Sequence, residues 1–323
     1  MKTVQLPNTS LVSSGLGLGT ASFGTSLDQR TSFAMLDAWL ECGGTMIDTA
    51  NAYANWIPGE RSLSEKTIGL WMHSRSTRGQ VLLATKGANP EPGHLHEPRL
   101  ARADILGDLE ASLNNLQCDY IDLYYLHRDD PSRCVGEIIE TLNEAVRSGK
   151  VRYLGCSNWQ LERIQSAQAY TAERGLQGFS ANQLFWNVAV VDYASLGDDT
   201  IAMMDVPTAD FHRRTEMAAV AYSAQANGYF SKMAADPQAE LRKSTRNNYD
   251  TPTNRERLAR ILQLAGETGL SVTQIVLGYV LGQPFTSLAL VGPRDLTQLH
   301  DAATAGDVEL SAEQIRFIET GSQ

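Results

Sequence analysis

A chain of 323 residues, 42% apolar and 20% charged, has material for a large core and is not an intrinsically disordered protein. Its formal net charge of −10 argues against nucleic acid and anionic membrane surfaces as partners. No apolar run reaches the ~18 residues of a membrane span, and the first residues lack a basic stretch followed by an apolar core, so a cytoplasmic location is expected.

Residues 2–12, with Pro7-Asn8-Thr9 in the middle, predict a hairpin ahead of the main fold. Residues 16–20 follow as a short strand, and from there strand and helix alternate. Residues 31–42 carry Phe33, Leu36, Trp39 and Leu40 on one helical face, and Gly43-Gly44 ends that helix. A strand at 46–48 comes next, then a helix opened by Ser64-Glu65 and carrying Ile68, Trp71 and Met72. Further strands are expected at 81–86, 121–126, 151–157, 179–183, 218–222 and 287–291, with helices at 103–116, 131–148, 161–174 and 311–320. Only residues 321–323 follow the last helix, so no tail is expected across the mouth.

This alternation predicts an α/β fold: one (β/α)8 TIM barrel over 1–323, a single domain with an N-terminal β-hairpin. The rival, a doubly wound sheet, usually shows G-x-G-x-x-G at its first strand–helix turn, and Gly15-x-Gly17-x-Gly19 lacks that spacing. Residues 51–61, 184–208 and 226–251 exceed ordinary loop length and are assigned to the barrel's mouth. Cys42, Cys118, Cys134 and Cys156 are scattered, with no C-x-x-C and no histidine at metal-ligand spacing. They read as small apolar residues in a reducing compartment, and no metal is expected.

Four polar residues close or follow apolar strands. Asp48 ends Met46-Ile47, with Tyr53 five residues on; Lys86 ends 81–85; His127 ends 121–126; Asn158 ends 151–157. Side chains leaving a parallel sheet at its carboxyl edge are where such folds place ligands and chemistry. Tyrosine, lysine, histidine and aspartate together make a proton-delivery device. A phenol is a poor acid at neutral pH, a neighbouring ammonium lowers its pKa, a carboxylate holds the ammonium, and an imidazole orients a carbonyl. Taken singly, Tyr53 reads as an interfacial aromatic, His127 as a hydrogen-bonded strand end and Lys86 as a surface lysine. Glu65 suits a helix N-terminus and Asp122 a buried network. His73, His94, His96, His212 and His300 read as surface residues.

Asp48-Thr49-Ala50-x-x-Tyr53, Ala84-Thr85-Lys86 and Leu126-His127-Arg128 resemble, in this order, the blocks of the aldo-keto reductase superfamily. The resemblance runs from about Leu16 to about Ile318. It implies NADPH-dependent reduction of an aldehyde or ketone, with Tyr53 as acid and Lys86, Asp48 and His127 in support.

A second set of residues suits a dinucleotide. Ser157, Asn158 and Gln183 end two successive strands, and amides pair well with a planar carboxamide. Tyr222 could stack on the nicotinamide ring, while Ser223, Ala224, Gln225 and Gly228 offer backbone N–H groups to a pyrophosphate. Gly292 makes a tight turn before Arg294, which is placed to grip a phosphate. The resemblance matches these positions to nicotinamide, pyrophosphate and adenosine 2′-phosphate contacts, adds Gly19, Thr20 and Asp48, and fits Gln298 and Asp301. The chain departs from many relatives at Ala224-Gln225, where they carry Pro-Leu, and at Ala302, where they carry an adenine-facing asparagine. Lys232 is a further candidate for a phosphate. For substrate, Trp56 supplies a flat wall and Arg128, Asp129 and Asn227 polar edges, which suits a sugar-like carbonyl compound. Two alternatives stay open: a nucleotide-sensing regulatory subunit of the same fold, and an isomerase or aldolase with Lys86 as a Schiff-base lysine. The sequence leaves the oligomeric state open.

Overall fold

Eight apolar strands close on themselves in a computed structural model that describes residues 1–322. They are β3 (Leu16–Gly19), β4 (Met46–Asp48), β5 (Leu82–Gly87), β6 (Ile121–Leu126), β7 (Val151–Ser157), β8 (Phe179–Phe185), β9 (Ala218–Tyr222) and β10 (Ser287–Val291). All neighbours pair in parallel, and β10 pairs β3 to complete the ring. Ahead of it, β1 (Thr3–Gln5) and β2 (Val12–Ser14) form the expected antiparallel hairpin. The helices are α1 (Gln29–Glu41), α2 (Leu63–Arg75), α3 (Arg102–Leu116), α4 (Val135–Arg147), α5 (Leu161–Arg174), α6 (Val206–Thr215), α7 (Tyr229–Ala235), α8 (Lys243–Tyr249), α9 (Pro252–Thr268), α10 (Val272–Leu281), α11 (Leu296–Thr304) and α12 (Ala312–Thr320).

Side chains alternate along each strand, so the barrel has two cores. Met46, Leu82, Ala84, Leu123, Tyr125, Ala181, Val220, Leu288 and Leu290 point inward, and Leu6 and Leu11 of the hairpin cap them at the strands' N-terminal end. The hairpin is tied there by Ser10, whose N–H donates to the Tyr153 hydroxyl at 2.8 Å. The opposite parity, with Ile47, Leu83, Tyr124 and Leu154, packs under the helices. Gly155 lies inward beside Tyr125; a Cβ there would come within 2.4 Å of the Tyr125 ring.

Strand positions match expectation closely; helix starts differ where side chains cap them. Asp28 accepts the Thr31 N–H and moves the start of α1 forward. Asp130 accepts from the Ser132 backbone and hydroxyl, which turns 130–132 and delays α4 to Val135. The long stretches are partly helical: 184–208 includes a short 3-10 turn at Tyr193–Leu196 and the first residues of α6, and 226–251 includes α7 and α8. Among the described residues no single helix is long and apolar enough to cross a membrane. No group of acidic, histidine or cysteine side chains among them is arranged to hold a metal ion.

Candidate active site

Period two places the site. Inward parity runs Met46 to Asp48 in β4, Ala84 to Lys86 in β5, and Leu123 and Tyr125 to His127 just past β6. It continues to Ser157 in β7, Gln183 in β8 and Tyr222 in β9. These side chains therefore converge at the carboxyl end of the barrel. Tyr53 arrives from the loop after β4.

Lys86 and Asp48 are both buried, at 1% exposure. The Lys86 ammonium donates to Asp48 Oδ1 at 2.5 Å, the Thr49 carbonyl at 2.8 Å and the Tyr53 hydroxyl at 3.2 Å. Three acceptors around three N–H bonds suit a charged ammonium. Asp48 Oδ2 accepts from Gln183 Nε2 at 2.8 Å. The His127 ring meets Tyr53 edge-on, with centroids 6.0 Å apart.

Burial works to lower the Lys86 pKa, but the Asp48 carboxylate and the Tyr53 oxygen override it and hold the ammonium above its ordinary value. Burial pushes Asp48 up, partly offset by Lys86 and Gln183. For Tyr53 the expectation needs correcting. Lys86 pulls the phenol down as predicted, but burial, helped by Asp48, outweighs it and leaves the pKa above its usual 10.0. Tyr53 is therefore protonated at neutral pH. Burial, Lys86 and Arg128 depress His127 well below 6.5, so its imidazole is neutral. Its Nδ1 is buried without a protein partner.

Glu65 does more than suit a helix start. It is fully buried and accepts from Thr85 Oγ1 at 2.6 Å, Asn115 Nδ2 at 3.0 Å and Asn51 Nδ2 at 3.4 Å. It thus joins the residue before Lys86 to the loop carrying Tyr53. Thr20 is also buried, its hydroxyl donating to the Asp48 carbonyl at 2.8 Å and accepting from Ser64 at 2.9 Å. Its side chain supports the backbone at Asp48. Asp122 anchors Arg78, Arg152 and the Leu83 N–H, as expected of a buried network. His212 departs from expectation: it is fully buried, with Nδ1 at 2.8 Å from the Met217 carbonyl and its ring stacked on Phe285.

Beside the tetrad lies a row of amides. Asn158 has a left-handed backbone, φ 58°, which turns its side chain back over the strand ends. Its Nδ2 donates to Ser157 Oγ and the His127 carbonyl, and its Oδ1 accepts from the Tyr222 hydroxyl at 2.7 Å. After Tyr222 the backbone is left-handed at Ser223, Ala226, Asn227 and Gly228. Such turns point N–H groups into a concavity suited to anions. Ala224 is buried and offers backbone only, while Gln225 is half-buried. Past β10, a Cβ at Gly292 would meet nothing within 4 Å. Arg294 is exposed and makes no ion pair among the described residues; its N–H donates to Gln298 Oε1. Asp301 is exposed on α11, and Ala302 is buried, facing inward. Gly19 pairs Asp48 at the strand ends. Lys232 sits in α7, and a Cβ on Gly228 would lie 3.8 Å from its Cε. Amides at the strand ends and a run of left-handed residues fit a nicotinamide dinucleotide's carboxamide and pyrophosphate.

The mouth is partly as expected. Trp56 is 54% exposed, with its ring 6.4 Å from that of Tyr53. An open groove of about 620 Å³ runs between residues 21–26 and Trp56, Ile57, Glu60 and Leu63. Asn227 is exposed at the turn. Asp129 does not edge this mouth: Arg163 holds both its oxygens, at 2.8 and 3.0 Å. Arg128 is bound to Asp198 at 2.9 Å, a partner the sequence reading missed.

Comparison with known proteins shows the family and the fold. The Aldo/keto reductase family matches residues 15–321. Among its relatives, an uncharacterized oxidoreductase, YrpG, of Bacillus subtilis is 32% identical over 98% of this chain and 95% of its own. The norsolorinic acid reductase B of Dothistroma septosporum is 31% identical, covering 97% of this chain and 79% of its own. A putative aryl-alcohol dehydrogenase, AAD14, of Saccharomyces cerevisiae is 30% identical over 99% and 84%. The crystal structure of a thermostable aldo-keto reductase, Tm1743, superposes with a TM-score of 0.72 over 99% of both chains at 23% identity, which shows the shared fold. The chain belongs to the aldo/keto reductase family, an oxidoreductase of carbonyl substrates whose membership implies a nicotinamide dinucleotide.

Proposed function

We propose that this chain, acting as one domain, reduces an aryl aldehyde or ketone with NADPH, and that Tyr53 is the acid. The observation that carries this reading is the buried chain of contacts from Asp48 through Lys86 to the Tyr53 hydroxyl. When bound, the dihydronicotinamide supplies a hydride for the carbonyl carbon. Ser157, Asn158 and Gln183 would hold its carboxamide, Tyr222 its ring, the turn from Ser223 to Gly228 its pyrophosphate, and Arg294 the 2′-phosphate. Asn158 would exchange its internal partners in doing so.

Tyr53 gives its proton to the substrate oxygen. Lys86 then lies 3.2 Å from the phenolate left behind and stabilises it. Asp48 fixes Lys86 in place and, through Gln183, links the acid to the amide row. A neutral His127 hydrogen-bonds the carbonyl and aligns it without competing as an acid.

An aryl substrate suits the exposed Trp56 face, and two relatives are named for aryl-alcohol and norsolorinic acid chemistry. The sugar-like reading loses support because Asp129 and Arg128 are engaged by Arg163 and Asp198. Following nicotinamide absorbance with NADPH and a panel of aryl aldehydes, keto-sugars and alkyl aldehydes tests the proposal. Turnover led by the aryl compounds supports it. Binding of NADPH without turnover of any carbonyl would favour the nucleotide-sensing role instead.

A further inference from the structure

Arg128 follows His127, and its charge bears on both Tyr53 and His127. Its carbonyl accepts from Trp159 Nε1 at 3.3 Å, and the neighbouring His127 carbonyl accepts from Asn158, which also holds Tyr222. Its side chain is only 15% exposed, and its Nε is buried with no partner. A guanidinium offers five donors in a fork that matches a carboxylate. Of these, Nη2 is used by Asp198 Oδ2, at 2.9 Å.

Asp198 comes from the loop between β8 and α6, seventy residues away in sequence. The loop holds it firmly: its Oδ1 accepts from the Thr200 N–H at 3.0 Å and the Thr200 hydroxyl at 2.5 Å. The same loop is pinned by Tyr193, whose hydroxyl donates to the Asp199 and Ile201 carbonyls. The Asp199 carboxylate lies 3.4 Å from His96, on the loop after β5. A negative charge is thus built into the mouth where an anionic substrate would need a positive one.

We propose that Asp198 is a specificity-determining residue: it fills the Arg128 anion subsite from within and turns away carbonyl substrates that carry a carboxylate. This rests on the proposed carbonyl reduction. An incoming carboxylate has to break an ion pair that is less than one-fifth exposed and then lie beside the displaced Asp198. A neutral ring pays neither cost. Asp198→Asn can leave its one amide oxygen on the Thr200 N–H and hydroxyl and place its NH2 beside Arg128, which removes the charge and the ion pair, so the subsite opens while the loop keeps its Thr200 hydrogen bonds.

The test compares 4-carboxybenzaldehyde with its methyl ester, which present the same aldehyde with and without the charge. With the unaltered protein the ester has the higher kcat/KM. In Asp198→Asn the acid-to-ester ratio of kcat/KM rises at least tenfold, mostly through KM for the acid. In Asp198→Asn with Arg128→Met the gain disappears. An unchanged ratio in Asp198→Asn overturns the proposal, as does loss of ester turnover, which would make Asp198 a structural residue. A gain that survives removal of Arg128 also overturns it, because the charge alone would then be responsible. Failure of the unaltered protein to reduce the ester or any other neutral carbonyl would instead strike the reading on which the proposal rests.

Discussion

The Tyr53 hydroxyl is the proton source in this proposal, and its removal isolates that role. Tyr53→Phe keeps the ring that packs against Trp56 and His127. Turnover is expected to fall about 10²–10⁴-fold, the usual worth of a positioned acid, with cofactor affinity kept. Steady-state rates and fluorescence titration of the cofactor check this together. Lys86→Met acts through the same group, since the ammonium is the strongest influence pulling the phenol down. In the same proposal Arg294 bears on the cofactor instead. With no competing ion pair among the described residues, Arg294→Ala is expected to weaken NADPH by about 1–3 kcal/mol, the range for a charge-assisted hydrogen bond. NADH should change far less, and equal losses for both would give Arg294 another part. Asp48, Lys86 and His127 were legible in the sequence because each is a polar residue closing an apolar strand. Glu65 was not: a carboxylate in the first turn of a helix ordinarily faces water, and only the fold brings Thr85, Asn51 and Asn115 to it. Asp198 escaped for a similar reason, because nothing local marks it as Arg128's partner.

Among the elements, strands were easier to read than helices. Largely buried strands such as β6, β7, β9 and β10 are short, mostly apolar runs, and their expected limits match the structure. The chain between β9 and β10 was not resolved into α7 to α10. There α9 shows only Asn254, Ile261 and Leu264 fully buried, too thin an apolar stripe to announce itself. Inside the barrel, β6 and β7 depend on one another: Gly155 leaves the space that the Tyr125 ring fills, directly below the tetrad. Gly155→Ala brings a Cβ to 2.4 Å from that ring and is expected to cost about 1–3 kcal/mol as overpacking. Tyr125→Leu in the same chain should recover part of it. Urea unfolding of the single and double variants reads both effects, and additive losses would mean the two residues do not compete for space.

For the molecule as a whole, two buried imidazoles set an acid limit. Burial lowers His212 below 6.5, and His127 is lowered further. The unfolded chain therefore takes up protons first as pH falls, so this stabilisation is complete above 6.5 and is lost progressively below it. His212 sits against the Met217 carbonyl and Asn182, behind the strand that carries Gln183. His212→Gln should flatten the fall in stability below 6.5, measured as Tm against pH. An unchanged profile would shift the acid sensitivity to other groups. The hairpin at the opposite end has a different consequence. Leu6 and Leu11 stopper the barrel among Met46, Leu82 and Leu288, so the vessel drains only at its rim. On the proposed mechanism, the proton that Tyr53 gives up is then replaced from the mouth and not through the hairpin end. In the proposed reduction its replacement arrives by the same corridor through which the alcohol departs.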